Sequence, residues 1–341
     1  MTERNALPAR LPPEILSHII SYLDSPHALY PLLTSSTQLY TIALRTLYRT
    51  IRQLPSPTAI LLLRSLDTSH STPRHTLLTS LTLDLRYSRP LRALPQLVHR
   101  VLLVLPKLTS FSLDLLPTNG ALQAMLPHDA PFRLRTLRIS AQIDAALSAF
   151  LEGQDDIVEL TLLGWTSAPF ALAPRALPRL RSFRTERSHI LSEVITGRPV
   201  EFVSLSLSAD GIYETLAALT RSTTPITRFT AVVVDSATSA PTSVTHLIPQ
   251  IATCLPALES LSIITIVQNY DIGTMHASTP LLADFAQLRY LTFMASGEPE
   301  YELADEADVA ADWGRACPTL RTIILPKGGV WFPRDGQWTS S

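Results

Sequence analysis

The sequence predicts an α/β protein: a short N-terminal segment of three helices, then a solenoid of about ten strand and helix units whose parallel strands line a concave face. Three observations predict it. Residues 11–51 carry adjoining apolar stripes at helical spacing, a unit of the form LxxLxL recurs between residues 78 and 320, and stretches of helical spacing separate the recurrences.

Composition narrows the function before any motif is considered. The chain has 341 residues, 46% of them hydrophobic, with 58 leucines but only 11 glycines, which disfavours chemistry built on glycine loops. A net charge of −1, from 28 basic and 29 acidic residues, leaves no cationic excess for a nucleic-acid backbone or an anionic membrane. Cys254 and Cys317 stand far apart without a CxxC pattern, so neither a disulfide framework nor a zinc cluster is expected. The N-terminus has no apolar leader, and the longest aliphatic runs, 60–63 and 101–105, are far too short for a membrane span. The expectation is a soluble intracellular protein, cytoplasmic or nuclear, without metal or cofactor.

The first helix is predicted over 11–23, where Leu11, Ile15, Ile19 and Leu23 form one stripe and Leu16 and Ile20 a second. Pro12 and Pro13 suit a first turn, and Asp24-Ser25-Pro26 reads as a stop, a cap and a new start. A second helix from Pro26 is expected to be short or bent at Pro31, and Ser35-Ser36 offers the next cap. A third spans about 37–51, with stripes of Leu39, Ala43, Leu47 and Ile51 beside Tyr40, Leu44 and Tyr48. These apolar arcs are wider than a private core needs, so they cover either the rest of the chain or a partner.

The residues Leu11-Pro12-x-Glu14-Ile15, followed by Ile19, Leu23, Leu29, Leu32, Ser36, Leu39, Ala43 and Leu47-Tyr48, resemble the F-box motif over residues 8–52. The resemblance implies that this helical segment binds the Skp-type adaptor of an SCF ubiquitin ligase and, through it, the cullin core. It assigns adaptor binding to Leu11, Pro12, Glu14, Ile15, Ile19, Leu23, Leu29, Leu32, Leu39, Leu47 and Tyr48.

From 58 to 330 the repeating unit begins at Leu78, Leu108, Leu134, Ile157, Leu180, Phe202, Ile226, Leu258, Leu288 and Leu320, at a mean interval of about 27 residues. Apolar residues at the fourth and sixth positions, such as Leu81/Leu83 and Leu261/Ile263, alternate as in a strand with one buried face. Helical spacing fills 94–105, 143–151, 190–196, 212–219, 244–255 and 303–317. The units resemble irregular leucine-rich repeats. The family's asparagine at the ninth position is replaced by Arg86, Leu116, Gln142, Trp165, Ser188, Asp210, Val234, Ile266, Ser296 and Gly328, so no asparagine ladder forms. Together the two resemblances imply a substrate receptor of an SCF ligase, of a type common in fungi, with 331–341 as a C-terminal tail. The alternative is a repeat scaffold whose N-terminal helices serve only as a cap.

Other motifs fail on chemistry. Asp305-Glu306-Ala307-Asp308 spells a helicase magnesium motif, but no phosphate-binding GxxxxGK[ST] accompanies it, and the acidic run from Glu298 to Asp312 reads as a solvated helix start. The nine histidines show no HxxxH or HExxH spacing, and no GxSxG occurs, so no catalytic constellation is expected. Arg175, Arg179, Arg181, Arg184 and Arg187 suit either phosphate recognition or pairing with nearby acids. Only two lysines, Lys107 and Lys327, are present; this spares a ligase receptor its own ubiquitination, or reflects GC-rich coding of the abundant Ala, Arg, Pro and Leu.

If the fourth and sixth positions point inward, the third, fifth and seventh face the concave surface. These are small and polar in the first units and more apolar in the last four, which places a protein substrate at the C-terminal end, on Arg184, Arg228, Ile264, Tyr290, Met294 and Ile324. The competing expectation is that Trp331, Phe332 or Trp338 folds back and covers this surface.

Overall fold

The computed structural model describes residues 11–340 except 24, 55, 69–72, 87–92, 116–121, 167–169, 209–210, 235–243, 267–269 and 298. The expected stop at Asp24, the ninth-position residues Leu116 and Asp210, and Glu298 of the acidic run lie outside the described residues.

The chain opens with α1 (Pro13–Ser21), α2 (Pro26–Ser35) and α3 (Thr37–Arg49). Pro13 stands in the first turn of α1, where a missing N–H removes no helical bond. Ser25 accepts from His27 N at 3.3 Å, and Ser36 accepts from Leu39 N at 3.2 Å, so serine side chains satisfy free donors where α2 and α3 begin. Pro31 falls inside α2, which continues to Ser35. The third helix stops at Arg49, before Ile51. Thr50 is extended, and Ile51 pairs with Leu81 in the sheet.

That transition begins β1 (Thr50–Leu54), followed by α4 (Ser56–Thr68). The strands β2 (Ser80–Asp84), β3 (Ser110–Asp114), β4 (Thr136–Ser140), β5 (Glu159–Leu163) and β6 (Ser182–Thr185) come next. They lead to β7 (Phe202–Leu207), β8 (Arg228–Val233), β9 (Ser260–Thr265), β10 (Tyr290–Ala295) and β11 (Thr322–Ile324). The connections carry α5 (Leu94–Leu103), α6 (Leu122–Met125), α7 (Ala145–Glu152) and α8 (Leu191–Ile195). Further along they carry α9 (Ile212–Leu219), α10 (Val244–Cys254), α11 (Ile272–Ser278) and α12 (Leu303–Ala316). A hairpin of β12 (Val330–Arg334) and β13 (Gln337–Ser340) closes the described chain.

The thirteen strands of the described residues form one sheet in chain order, parallel from β1 to β11 and antiparallel across β11, β12 and β13. The apolar residues of fourth and sixth positions lie on the helix side, fully buried in one continuous core with Val98, Val101, Leu147, Phe150, Leu247 and Ile251. A second ladder reinforces the register at the strand starts. Thr79 N donates to Arg49 O, Thr109 N to Thr79 O, and the series continues unit by unit to Arg321 N on Arg289 O at 2.8 Å. Each connection is thereby tied to its neighbour before its strand begins.

Two departures from the expected repeat have a physical cause. In the sixth unit Val203, not Leu205, pairs with Phe183 and Phe229, which moves the first position from Phe202 to the buried Val200. Val200, Val203, Leu205 and Leu207 are all apolar, so two registers satisfy the template equally well. In β1 a bulge between Ile51 and Leu54 puts Leu54 opposite Leu83 and leaves Gln53 where the template demands an apolar residue. Residues 52–54 accordingly belong to β1 and residues 56–57 to α4, and the C-terminal tail carries the hairpin of β12 and β13.

Candidate functional site

The two stripes of the first helix separate in the structure, except that Leu23, which spacing puts with Leu11, Ile15 and Ile19, packs with the other. Ile20 faces Leu29 and Ile42 in a small core distinct from that of the sheet, with Leu16, Leu23, Leu32, Leu39 and Leu47 packed half-buried around it. The other stripe faces solvent: Leu11 is 52% exposed, Ile15 46% and Ile19 52%. Tyr22, Tyr30 and Tyr40 are exposed as well, and Pro12 and Glu14 lie at the same open end of α1. Aliphatic side chains repeated every four residues on one exposed helix face are the pattern of a surface awaiting a partner.

Of the residues assigned to adaptor binding, Leu11, Pro12, Glu14, Ile15 and Ile19 are thus on the surface. Leu29, at 4% exposure, is inaccessible to a partner and instead holds the three helices together. Leu23, Leu32, Leu39 and Leu47 serve that same core, and Tyr48 is half-buried. Helical spacing located both stripes; burial decides which one is free.

Residues 8–67 match the F-box-like family model. The F-box-like segment therefore takes in α1 to α4, including the first strand of the sheet. F-box domains as a class bind Skp-type adaptors in SCF complexes, and the segment supports an adaptor role in that general sense. No curated protein matches the chain. Among the described residues no helix is long and apolar enough to cross a membrane, and no group of three or more His, Cys, Asp or Glu is placed to hold a metal ion.

Beyond the F-box-like segment, the sheet face opposite the helices presents the second candidate surface. Met294 pairs in register with Ile264, Thr292 pairs with Ile324, and Tyr290 precedes Thr292 by two residues on the same face. Tyr290 is exposed, whereas Ile264, Met294 and Ile324 are half-buried. Arg184 and Arg228 are exposed on the same face, the Arg228 guanidinium lying 5.2 Å from the Phe202 ring centre. Toward the N-terminal end the face closes. Asp84 is buried in a bidentate pair with Arg86, and Asp114 is buried 3.7 Å from Arg138, without a hydrogen bond between them. Seventh-position side chains are therefore not uniformly open.

The C-terminal aromatic residues do not cover the apolar patch. Trp331 pairs with Ile323 on the helix side and is buried, and Trp338 lies against Gly314 of α12, where any β-carbon would collide with its indole. Phe332 follows Val330, the partner of Ile324, and extends the open face.

Within the acidic run Glu300, Glu302 and Asp308 are exposed around the start of α12, as a solvated helix start requires, but Glu306 is not. Glu306 is fully buried at 0% exposure and accepts from Tyr301 Oη at 3.0 Å, Lys327 N at 2.9 Å and Trp331 Nε1 at 3.4 Å. It fastens the hairpin to α12, a polar group buried only because several donors meet it. Burial, aided by the Glu306 carboxylate, pushes the Tyr301 phenol well above its usual range and keeps it a donor. Asp305 accepts from Glu302 N at 2.8 Å and caps the same helix. Of the arginine cluster, Arg179 and Arg181 pair with Asp156 and Glu201, and Arg187 donates to Gly164 O at 2.8 Å.

Proposed function

We propose that the chain is the substrate-recognition adaptor of an SCF-type cullin-RING ubiquitin ligase. The exposed Leu11, Ile15 and Ile19 stripe, within a segment matching the F-box-like family, carries the reading. In it, this stripe with Pro12 and Glu14 contacts the Skp-type adaptor, and the buried Ile20, Leu29 and Ile42 keep the stripe rigid. The sheet and its helices act as a leucine-rich-repeat-like solenoid of about ten units, whose open face holds a protein substrate on Ile264, Tyr290, Met294 and Ile324 beside Arg184 and Arg228. The chain supplies no catalytic group of its own; it brings substrate and ligase together, so rate comes from proximity.

Hydrogen–deuterium exchange of the full chain with and without a purified Skp-type adaptor tests where contact occurs. Protection is expected over 11–22, with β2 to β11 unchanged. Protection confined to the sheet face would assign the adaptor elsewhere and defeat the reading.

A further inference from the structure

The open face differs in charge from one end to the other. In the first units Asp84, Asp114, Glu159 and Glu186 stand at third and seventh positions, interspersed with Arg138 and Arg184. From β8 to β11 those positions and the fifth hold Arg228 and no carboxylate. At the strand starts on this end, Arg289 and Arg321 occupy adjacent rungs of the backbone ladder, the N–H of Arg321 donating to Arg289 O at 2.8 Å. Both side chains are exposed, and neither makes an ion pair within 4 Å among the described residues. The apolar patch begins one residue beyond Arg289, at Tyr290, and three residues beyond Arg321, at Ile324, with Met294 and Ile264 beside them.

Two guanidinium groups without an ion pair, with the half-buried Glu259 on the rung before Arg289, stand at the rim of an apolar surface whose own strand positions hold no carboxylate, and they define the chemistry of its complement. Aliphatic or aromatic side chains suit the patch, and a carboxylate suits the arginine fork, which can bind both its oxygens. The strip from β8 to β11 is roughly 14 Å wide at ordinary strand spacing, enough for several side chains of a peptide. Resting on the receptor reading above, we propose that this surface captures an acidic, apolar segment of the substrate protein, its acidic residues on Arg289 and Arg321 and its apolar residues on Ile264, Tyr290, Met294 and Ile324.

The test is selection of a displayed random decapeptide library on the immobilised full chain, repeated on Arg289→Glu/Arg321→Glu and on Tyr290→Ser. Wild-type protein is expected to enrich peptides with Asp or Glu beside Leu, Ile or Phe. The charge-reversed protein should weaken the selected acidic peptides by about tenfold and enrich Lys and Arg instead. Tyr290→Ser should lose the apolar enrichment. Because all three substituted side chains are exposed, the fold is retained, and circular dichroism checks it. No enrichment, enrichment without acids, or peptides indifferent to charge reversal would overturn the proposal. So would concentration-dependent self-association abolished by Tyr290→Ser, since the face would then belong to a second copy. Adaptor binding measured on the same preparations separates the two readings: selection without adaptor binding defeats the receptor role but not this surface, and the converse defeats only the surface.

Discussion

Replacing Ile15 and Ile19 together by Asp is expected to weaken capture of a Skp-type adaptor by at least about 100-fold, the loss of two buried apolar anchors at about 2 kcal/mol or more each, less coupling between them. Both side chains are exposed in the free chain, so their hydrophobic area becomes useful only when a partner covers it. Carboxylates at these points carry charge into a face that must be desolvated, which adds cost without touching Leu16 or Ile20. The melting temperature should therefore stay nearly constant while binding, read by surface immobilisation of the adaptor, disappears. The contrasting change Ile20→Asp should unfold the helical segment, because Ile20 forms its core with Leu29 and Ile42. Loss of binding in both, but loss of helix only in the second, distinguishes a contact surface from a structural role.

Arg198→Met is expected to remove about 3–5 kcal/mol of local stability. Arg198 is buried, and its guanidinium donates to five backbone carbonyls: Ala173, Ala176, Glu193, Val194 and Thr196. Three of these belong to the end of α8 or the turn after it, where helical carbonyls have no internal partner. The other two fix the connection between β5 and β6. Burial lowers the arginine pKa, and the Glu193 carboxylate opposes that shift. Methionine preserves much of the apolar stem but orphans the acceptors, at a net cost of about 1 kcal/mol each. On the proposed repeat reading such damage is local, so hydrogen exchange over 170–222 is the readout, with loss of protection there and retention in β9 and β10. Unchanged protection over 170–222 would show that solvent or neighbouring donors replace the guanidinium.

The strands were legible in the sequence because a half-buried strand imposes strict alternation, and Leu81/Leu83 through Leu261/Ile263 obey it. Where every candidate is apolar, as at Val200 to Leu207, alternation no longer selects one register, and pairing with Phe183 and Phe229 decides. β1 was hidden by its bulge, which moves the apolar residue to Leu54. Glu306 was misread because a charge run says nothing about burial; its donors, Lys327 N and Trp331 Nε1, arrive from more than twenty positions later. Arg198 left no signal at all, since its partners are backbone carbonyls that any sequence possesses. At the candidate adaptor site the two stripes were legible, but the choice between Leu11, Ile15, Ile19 and Leu16, Ile20 as the free one required the packing of α2 and α3.

The most direct measurement of the central claim is a calorimetric titration of the full wild-type chain with a purified Skp-type adaptor. The account predicts one-to-one binding with a dissociation constant below about 1 μM, about −8 kcal/mol, a value within reach of a rigid exposed aliphatic stripe. An absence of heat or complex at about 50 μM adaptor, with circular dichroism showing the helices intact, would contradict it.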